Sequence, residues 1–163
     1  SEPGKGTAFT IHLKAPYMSG EDYHMHYTAS KLQTDLAGKK ILLVEDHKLN
    51  MEIAKKILEK KQMKVTCAYN GAAAVALFEK MPEYTFDAVI MDIRMPVMNG
   101  LEAAAAIRAG AKADAKTIPI IAMSANAFAE DMEKSRRAGM NRHVAKPVEP
   151  ERLFGVLSEI FSD

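Results

Sequence analysis

The chain has 163 residues, of which 48% are hydrophobic, and this is sufficient for one well-packed domain with additional sequence. Its 22 basic and 21 acidic residues give a net charge of +1, which excludes the basic surface of a nucleic-acid-binding protein and the polybasic patch of a membrane-binding protein. The single cysteine, Cys67, excludes an internal disulfide bond, and without a signal-peptide pattern or a long apolar run we expect a cytoplasmic location with no direct membrane contact.

Residues 1–14 contain a glycine turn followed by an alternating pattern. Gly4-Lys5-Gly6-Thr7 forms the turn, and Phe9, Ile11 and Leu13 alternate with small or polar residues, as in a half-buried strand. The turn lacks the Lys-Ser/Thr ending of a nucleotide-binding P-loop. By itself, it is therefore a weak indication of phosphate binding.

Residues 15–38 lack helical periodicity, and we interpret them as a linker between domains. His24 and His26 are candidates for a metal-binding pair or for a phosphohistidine. No third ligand lies near them in the sequence, and no helical phosphotransfer pattern surrounds them, so both functions are disfavoured.

From Lys39 onward, the pattern predicts alternating strands and helices. Residues 41–44 form a continuous apolar run, which is typical of a strand that is buried on both faces. Apolar residues then recur at helical spacing over residues 49–58. Residues 65–69 predict a second strand, and the Asn-Gly turn that follows begins an alanine-rich helix extending through Phe78.

Three more strand–helix pairs follow at similar spacing. They are predicted at residues 86–91 and 101–108, at 118–123 and 126–138, and at 143–145 and 149–161. Gly139 is expected to end the fourth helix in a left-handed conformation. Five strands that alternate with five helices predict an α/β fold with a parallel sheet covered on both faces, and such folds bind ligands at the carboxyl ends of the strands.

Polar side chains occur at these carboxyl ends. Glu45 and Asp46 follow the first strand, Asp92 the third, Ser124 the fourth and Lys146 the fifth. Three converging carboxylates would repel one another unless a cation lies between them, and Mg²⁺ prefers oxygen ligands of this kind. The set therefore predicts a magnesium site at one edge of the sheet.

The same residues suit phosphoryl transfer. Asp92 is a possible covalent acceptor, and Lys146 and Ser124 can stabilise charge on the phosphoryl oxygens. Each residue alone also has a structural interpretation, for example Asp46 as the N-cap of the next helix. Their joint occurrence at the ends of four strands makes coincidence the weaker explanation.

Residues 39–161 resemble the receiver, or response-regulator, domain family of two-component systems. The most specific segment is VIMDIRMPVMNG at residues 89–100, which is similar to the acceptor-site loop of that family. It is supported by LVED at 43–46 with Asn50, by PIIAMSA at 119–125 and by AKP at 145–147. The resemblance implies a flavodoxin-like (βα)5 fold, with a doubly wound, five-stranded parallel sheet in a receiver domain at 39–163.

The resemblance also implies roles for individual residues. Asp92 is expected to be the phosphoacceptor and a Mg²⁺ ligand, together with Asp46, the backbone carbonyl of Arg94, and Glu45 acting through water. The chain is expected to catalyse its own phosphorylation and dephosphorylation. The Arg94 side chain stands at a position that affects dephosphorylation in this family, and we expect it to shield the acyl phosphate from water.

Two further residues are expected to form the conformational switch. Ser124 would move toward the phosphoryl group, and Lys146 would pair with that group, held by a peptide bond to Pro147 that is usually cis in the family. His143 stands where the family commonly has Tyr or Phe. A histidine is polar and can titrate, so this departure leaves open whether it is a switch residue or a partly exposed strand residue.

The resemblance extends to the whole-protein context. Upstream of a receiver, residues 1–14 resemble the end of a histidine-kinase ATP-binding domain, which implies that the chain is the C-terminal part of a hybrid sensor histidine kinase. The expected partners are a kinase dimerisation and phosphotransfer domain and a histidine phosphotransfer protein, docking on the first helix around Lys48 and Met51. A free-standing response regulator and a non-phosphorylated interaction module remain alternatives. An aspartate-nucleophile phosphatase is disfavoured because Arg94 stands where such enzymes usually carry a second Asp.

Overall fold

The computed structural model describes residues 35–125 and 129–162. The predicted domain remnant at 1–14, both linker histidines and most of the linker lie outside these residues. The strands are β1 Lys40–Val44, β2 Lys64–Ala68, β3 Ala88–Asp92, β4 Ile120–Ser124 and β5 Arg142–Ala145. The α-helices are α1 Lys48–Glu59, α2 Gly71–Lys80, α3 Gly100–Ala109, α4 Ala129–Arg137 and α5 Pro150–Ser162.

The five strands form one parallel sheet in the order β2-β1-β3-β4-β5. This confirms the predicted fold class. The chain proceeds from β1 to one edge and then returns to build the other side, so the order reverses between β1 and β3. A crevice at the carboxyl ends of these two strands is the expected ligand site of such a sheet.

Two apolar cores cover the two faces of the sheet. Alternate residues of β1 point to opposite faces, so Leu42 packs in one core and Leu43 in the other. The first core contains Phe78 of α2 and residues of α3, whereas the second contains Leu58 of α1 and Leu157 of α5. The helices therefore bury a sheet that is apolar on both sides, as the continuous strand patterns predict.

The beginning of β4 differs from its prediction. The strand was expected from residue 118 but begins at Ile120, after a 3₁₀ helix at Ala113–Lys116 that the sequence pattern did not indicate. The Ile118 N–H donates to the carbonyl of Asp114 in this turn, and Pro119 has no N–H to donate. Neither residue can therefore donate to the sheet.

Local turn chemistry explains several helix ends. Asn70 caps α2, and Asn99 caps α3 in a reciprocal pair with Glu102. Gly139 follows α4 with a φ of 89°, which confirms the predicted left-handed helix stop. Asp46 is not the cap of α1, because His47 occupies that position and makes no side-chain capping bond.

No helix within the described ranges combines the length and apolar character needed to cross a bilayer.

Candidate functional site

Three carboxylates meet where the strand order reverses. Glu45 and Asp46 follow β1 and Asp92 ends β3, and one oxygen from each lies within 4.8 Å of the others. Glu45 and Asp92 are buried, with 2% and 5% of their surfaces exposed, whereas Asp46 is exposed. The predicted acidic cluster is therefore present, with one member open to solvent.

Lys146 reaches this cluster from the end of β5. Its Nζ donates to Glu45 Oε2 at 2.5 Å and to Asp92 Oδ2 at 2.7 Å. Burial lowers the pKa of Lys146, but its hydrogen bonds and ion pairs with Asp92 and Glu45 outweigh burial and leave the pKa raised. The ammonium therefore stays charged. The Lys146–Pro147 peptide bond is cis, as the resemblance implies.

The ionised form of Asp92 is less favourable than that of a free aspartate despite this partner. Burial raises the pKa of its carboxyl group, against the lowering effect of Lys146 and of the Arg94 N–H, which donates to Asp92 Oδ1 at 3.2 Å. The cluster holds three carboxylates and the Lys146 ammonium contacts two of them, so added positive charge would stabilise the ionised form of Asp92. The donors are all hard oxygen atoms, and one carboxylate is exposed, so the set fits a hydrated divalent cation such as Mg²⁺.

Asn50 of α1 orients the buried Glu45. Its Nδ2 donates to Glu45 Oε1 at 3.1 Å, and the His47 N–H approaches the same oxygen at 3.4 Å. The other carboxylate oxygen faces Lys146. The sequence pattern includes Asn50 in a motif but does not predict its hydrogen bond to Glu45, because that contact forms only when α1 packs beside the end of β1.

Gly100 lets α3 begin directly against the end of β3. Its N–H donates to the Ile93 carbonyl at 2.9 Å, and a Cβ at this position would lie 2.1 Å from the Asp92 carbonyl oxygen. Any side chain would therefore displace the backbone that carries Asp92. The sequence pattern identifies this glycine only as part of a turn.

Ser124 and His143 form a second group beside the carboxylates. Ser124 Oγ and His143 Nε2 are 2.6 Å apart, and the Lys146 N–H donates to the Ser124 carbonyl at 2.8 Å. Burial lowers the pKa of His143, with a smaller opposing effect of Asp131 and a further lowering by Arg152. The imidazole is therefore neutral near neutral pH, which the sequence alone did not determine.

The exposed face of α1 differs from the predicted docking residues. Met51 is 1% exposed and belongs to the core, so its predicted role in partner docking is wrong. A helix presents neighbouring positions four residues apart, and Leu49 and Ile53 are the exposed apolar pair, at 62% and 48%. Val97, in the loop after β3, is 86% exposed. The sequence pattern placed Leu49 and Ile53 on the apolar stripe of α1 and Met51 on its exposed side, and the structure reverses both placements.

A family model described as the response regulator receiver domain matches residues 41–158. The chain is 35% identical over 122 residues to hybrid signal transduction histidine kinase I of Dictyostelium discoideum, covering 74% of this chain and 7% of that protein. It is 34% identical over 157 residues to two-component system protein A of Emericella nidulans, covering 96% of this chain and 22% of that protein. The chain thus spans a small part of the relatives that it matches.

Solved structures agree with these matches. The receiver domain of sensor histidine kinase PA1611 from Pseudomonas aeruginosa, with a magnesium ion coordinated in its active-site cleft, has a TM-score of 0.70 and 36% identity. The match covers 78% of this chain and all of that one (100%). The receiver domain of Ssk1 from Saccharomyces cerevisiae, crystallised with the histidine phosphotransfer protein Ypd1, has a TM-score of 0.69 and 26% identity, covering 77% and 90%.

Proposed function

The chain belongs to the response regulator receiver domain family and is a receiver of a two-component phosphorelay, and from this premise we propose a function for Asp92. It accepts a phosphoryl group from a phosphohistidine in a Mg²⁺-dependent reaction and relays that group to a histidine phosphotransfer protein. One observation carries the proposal. Asp92 is a buried carboxylate that pairs with Lys146 inside a cluster of three acidic groups. Clustered, buried carboxylates with a specific charged partner occur preferentially at functional sites.

The proposed transfer needs no other nucleophile. A carboxylate oxygen of Asp92 attacks phosphorus, a P–O bond forms as the P–N bond of the phosphohistidine breaks, and the departing imidazole keeps the electron pair and takes up a proton. Lys146 donates to an oxygen of the transferred group, and Ser124 supplies a hydroxyl donor. When bound, Mg²⁺ supplies the positive charge that offsets the phosphoryl oxygens.

The residues proposed to hold the ion follow from the donor set. Asp46 and Asp92 are proposed as direct ligands, the Arg94 carbonyl as a further ligand, and Glu45 as a ligand through water. The exposed Asp46 is accessible to a hydrated ion, whereas Glu45 already has both of its oxygens engaged by protein donors. These contacts support a water-mediated role for Glu45.

We also propose the domain organisation. The receiver occupies residues 39–163, the linker 15–38, and the end of a kinase ATP-binding domain 1–14. The match to the Emericella two-component system protein covers 96% of the chain and therefore extends into the sequence before the receiver. The parent would be a hybrid sensor histidine kinase.

The proposed partners dock beside the acidic cluster, on α1. Leu49 and Ile53 offer an exposed apolar pair, and Lys48, at the start of the helix, adds a positive charge. A phosphohistidine on a helical partner would approach Asp92 across this surface. The Ypd1 complex of a related receiver supports a histidine phosphotransfer protein as such a partner.

An NMR titration with Mg²⁺ and then beryllofluoride, a mimic of aspartyl phosphate, tests the proposal. Wild type should show resonance shifts that spread from Asp92 toward Ser124 and His143, and Asp92→Asn should show none with beryllofluoride. Asp87→Asn is the matched control, because Asp87 lies just before the opposite end of β3 and pairs with Lys39. If wild type binds Mg²⁺ but its resonances do not shift on adding beryllofluoride, the result would instead favour a non-phosphorylated interaction module.

A further inference from the structure

The position of Ser124 in the sheet gives it two neighbours of different kinds. It ends β4, which lies between β3, carrying Asp92, and β5, carrying His143. The Ser124 hydroxyl is paired with the β5 side, where its Oγ lies 2.6 Å from His143 Nε2. A hydroxyl that turns from β5 toward a phosphoryl group on Asp92 must give up this bond.

The imidazole hydrogen-bonds to Ser124 through its Nε2 atom. Its other nitrogen, Nδ1, is buried and has no hydrogen-bond partner within the described ranges. A Phe ring at this position has no atom that can hydrogen-bond to Ser124. Replacing His143 by Phe therefore removes the bond and keeps an aromatic ring.

We propose that His143 is a positioning residue for Ser124: its Nε2 holds the hydroxyl in the unphosphorylated protein and must release it before Ser124 can donate to a phosphoryl group on Asp92. The proposal rests on the proposed function and deepens it. Release separates the ring from its hydrogen-bonded partner, so the state of Asp92 is coupled directly to the β5 strand.

The hydrogen bond opposes the phosphorylated state and should weaken its formation. A neutral hydrogen bond contributes modestly to the resting state, and its loss on switching is equivalent to roughly a fivefold change in an equilibrium constant. In His143→Phe, beryllofluoride in the presence of Mg²⁺ should therefore reach half-saturation at roughly one-fifth of the wild-type concentration.

A double-mutant cycle separates this effect from altered packing. Half-saturation by beryllofluoride is measured for wild type, His143→Phe, Ser124→Ala and the double variant, each as the full chain. If His143 acts through Ser124, His143→Phe should change the midpoint only when Ser124 is present. An equal change in the Ser124→Ala background would overturn the proposal, as would an unchanged midpoint in His143→Phe itself.

His143→Gln is the conservative variant, because the Gln amide can hydrogen-bond to a hydroxyl. It should bring the midpoint back toward wild type, and a midpoint as low as that of His143→Phe would count against the proposal. A spectrum with native dispersion shows that each variant is folded.

A second measurement does not depend on phosphorylation. The nitrogen chemical shifts of the His143 imidazole are recorded in wild type and Ser124→Ala without beryllofluoride. Loss of the Ser124 partner should shift Nε2 more than Nδ1. Equal or absent shifts of the two nitrogens would overturn the proposal even if Asp92 responds to beryllofluoride. A clear Nε2 shift with no response at Asp92 would mean that the hydrogen bond is present and that the proposed function has failed.

Discussion

Val97 is a β-branched residue whose backbone lies in the left-handed region, with a φ of 71°. Its side chain is 86% exposed, so little packing offsets the unfavourable conformation. Replacing Val97 by Gly should raise the free energy of unfolding by about 1 kcal/mol, because glycine adopts this φ without steric cost. Urea unfolding measures the change, and Val97→Ala, which keeps a Cβ, should gain less. Equal stability of the Gly and Ala variants would argue against strain.

The pKa of His143 predicts how stability depends on pH. Burial holds the pKa of the folded imidazole below its ordinary value of 6.5, so the unfolded chain takes up a proton first as the pH falls. The contribution of His143 to stability is therefore complete above that value and is lost as the pH falls toward the folded pKa. Wild type should lose more unfolding free energy than His143→Gln between about pH 7 and pH 5. Parallel curves for the two proteins would contradict this, and Asp131 and Arg152, the charged neighbours, are common to both.

The variant Arg94→Ala tests whether the exposed side chain beside Asp92 shields the acyl phosphate from water. Its backbone N–H holds Asp92 Oδ1, and its side chain is exposed. If the side chain shields the acyl phosphate from water, Arg94→Ala should shorten the lifetime of phospho-Asp92 severalfold while leaving the backbone contact in place. Decay of the phosphorylated protein after removal of the donor gives the lifetime. An unchanged decay would eliminate the shielding role.

At the scale of elements, the contact between α3 and β3 is the tightest constraint near the site. Gly100→Ala would place a Cβ 2.1 Å from the Asp92 carbonyl, so the helix start or the end of the strand must move. We expect a loss of about 2 kcal/mol or more in unfolding free energy, together with weaker Mg²⁺ binding. Urea unfolding measures the loss of stability, and titration calorimetry measures the weaker Mg²⁺ binding.

Gly155 in α5 provides the matched control. A Cβ there would have nothing within 4 Å, and the residue lies in a helix interior. Gly155→Ala should stabilise the chain by about 0.5–1 kcal/mol through helix propensity alone. If both variants were destabilised alike, the effect at Gly100 could not be assigned to its close approach to Asp92.

The order of the elements could be predicted because each depends on residues close together in sequence. Apolar runs indicate strands buried on both faces, and the asparagine and glycine residues at positions 70, 99 and 139 mark helix ends. The 3₁₀ helix at Ala113–Lys116 was missed because it depends on bonds spanning three residues, in which the Ala115 and Thr117 N–H groups donate to the carbonyls of Lys112 and Asp114, and not on an apolar period. A short polar segment of this kind carries little signal of its own.

At the scale of the whole molecule, binding of Mg²⁺ should couple to stability. An ion that binds only the folded chain raises the unfolding free energy by about 2.7 kcal/mol at one hundred times its dissociation constant. The gain should be largely lost in Asp46→Asn and kept in Asp87→Asn, whose carboxylate lies outside the cluster. Thermal unfolding with and without a chelator measures it. An equal gain in both variants would place the ion elsewhere.

The sequence by itself determined the alternating α/β architecture and predicted which polar residues collect at the strand ends. Both follow from local patterns, because parallel strands in such a fold bring their carboxyl ends to one edge. Only the tertiary structure decided which atoms meet. Lys146 reaches Glu45 across 101 positions and Ser124 meets His143 across 19. It also decided that Met51 is core and that Gly100 has no room for a side chain. Such contacts depend on how elements far apart in the chain pack together, and residue spacing carries no information about the distance between two packed surfaces.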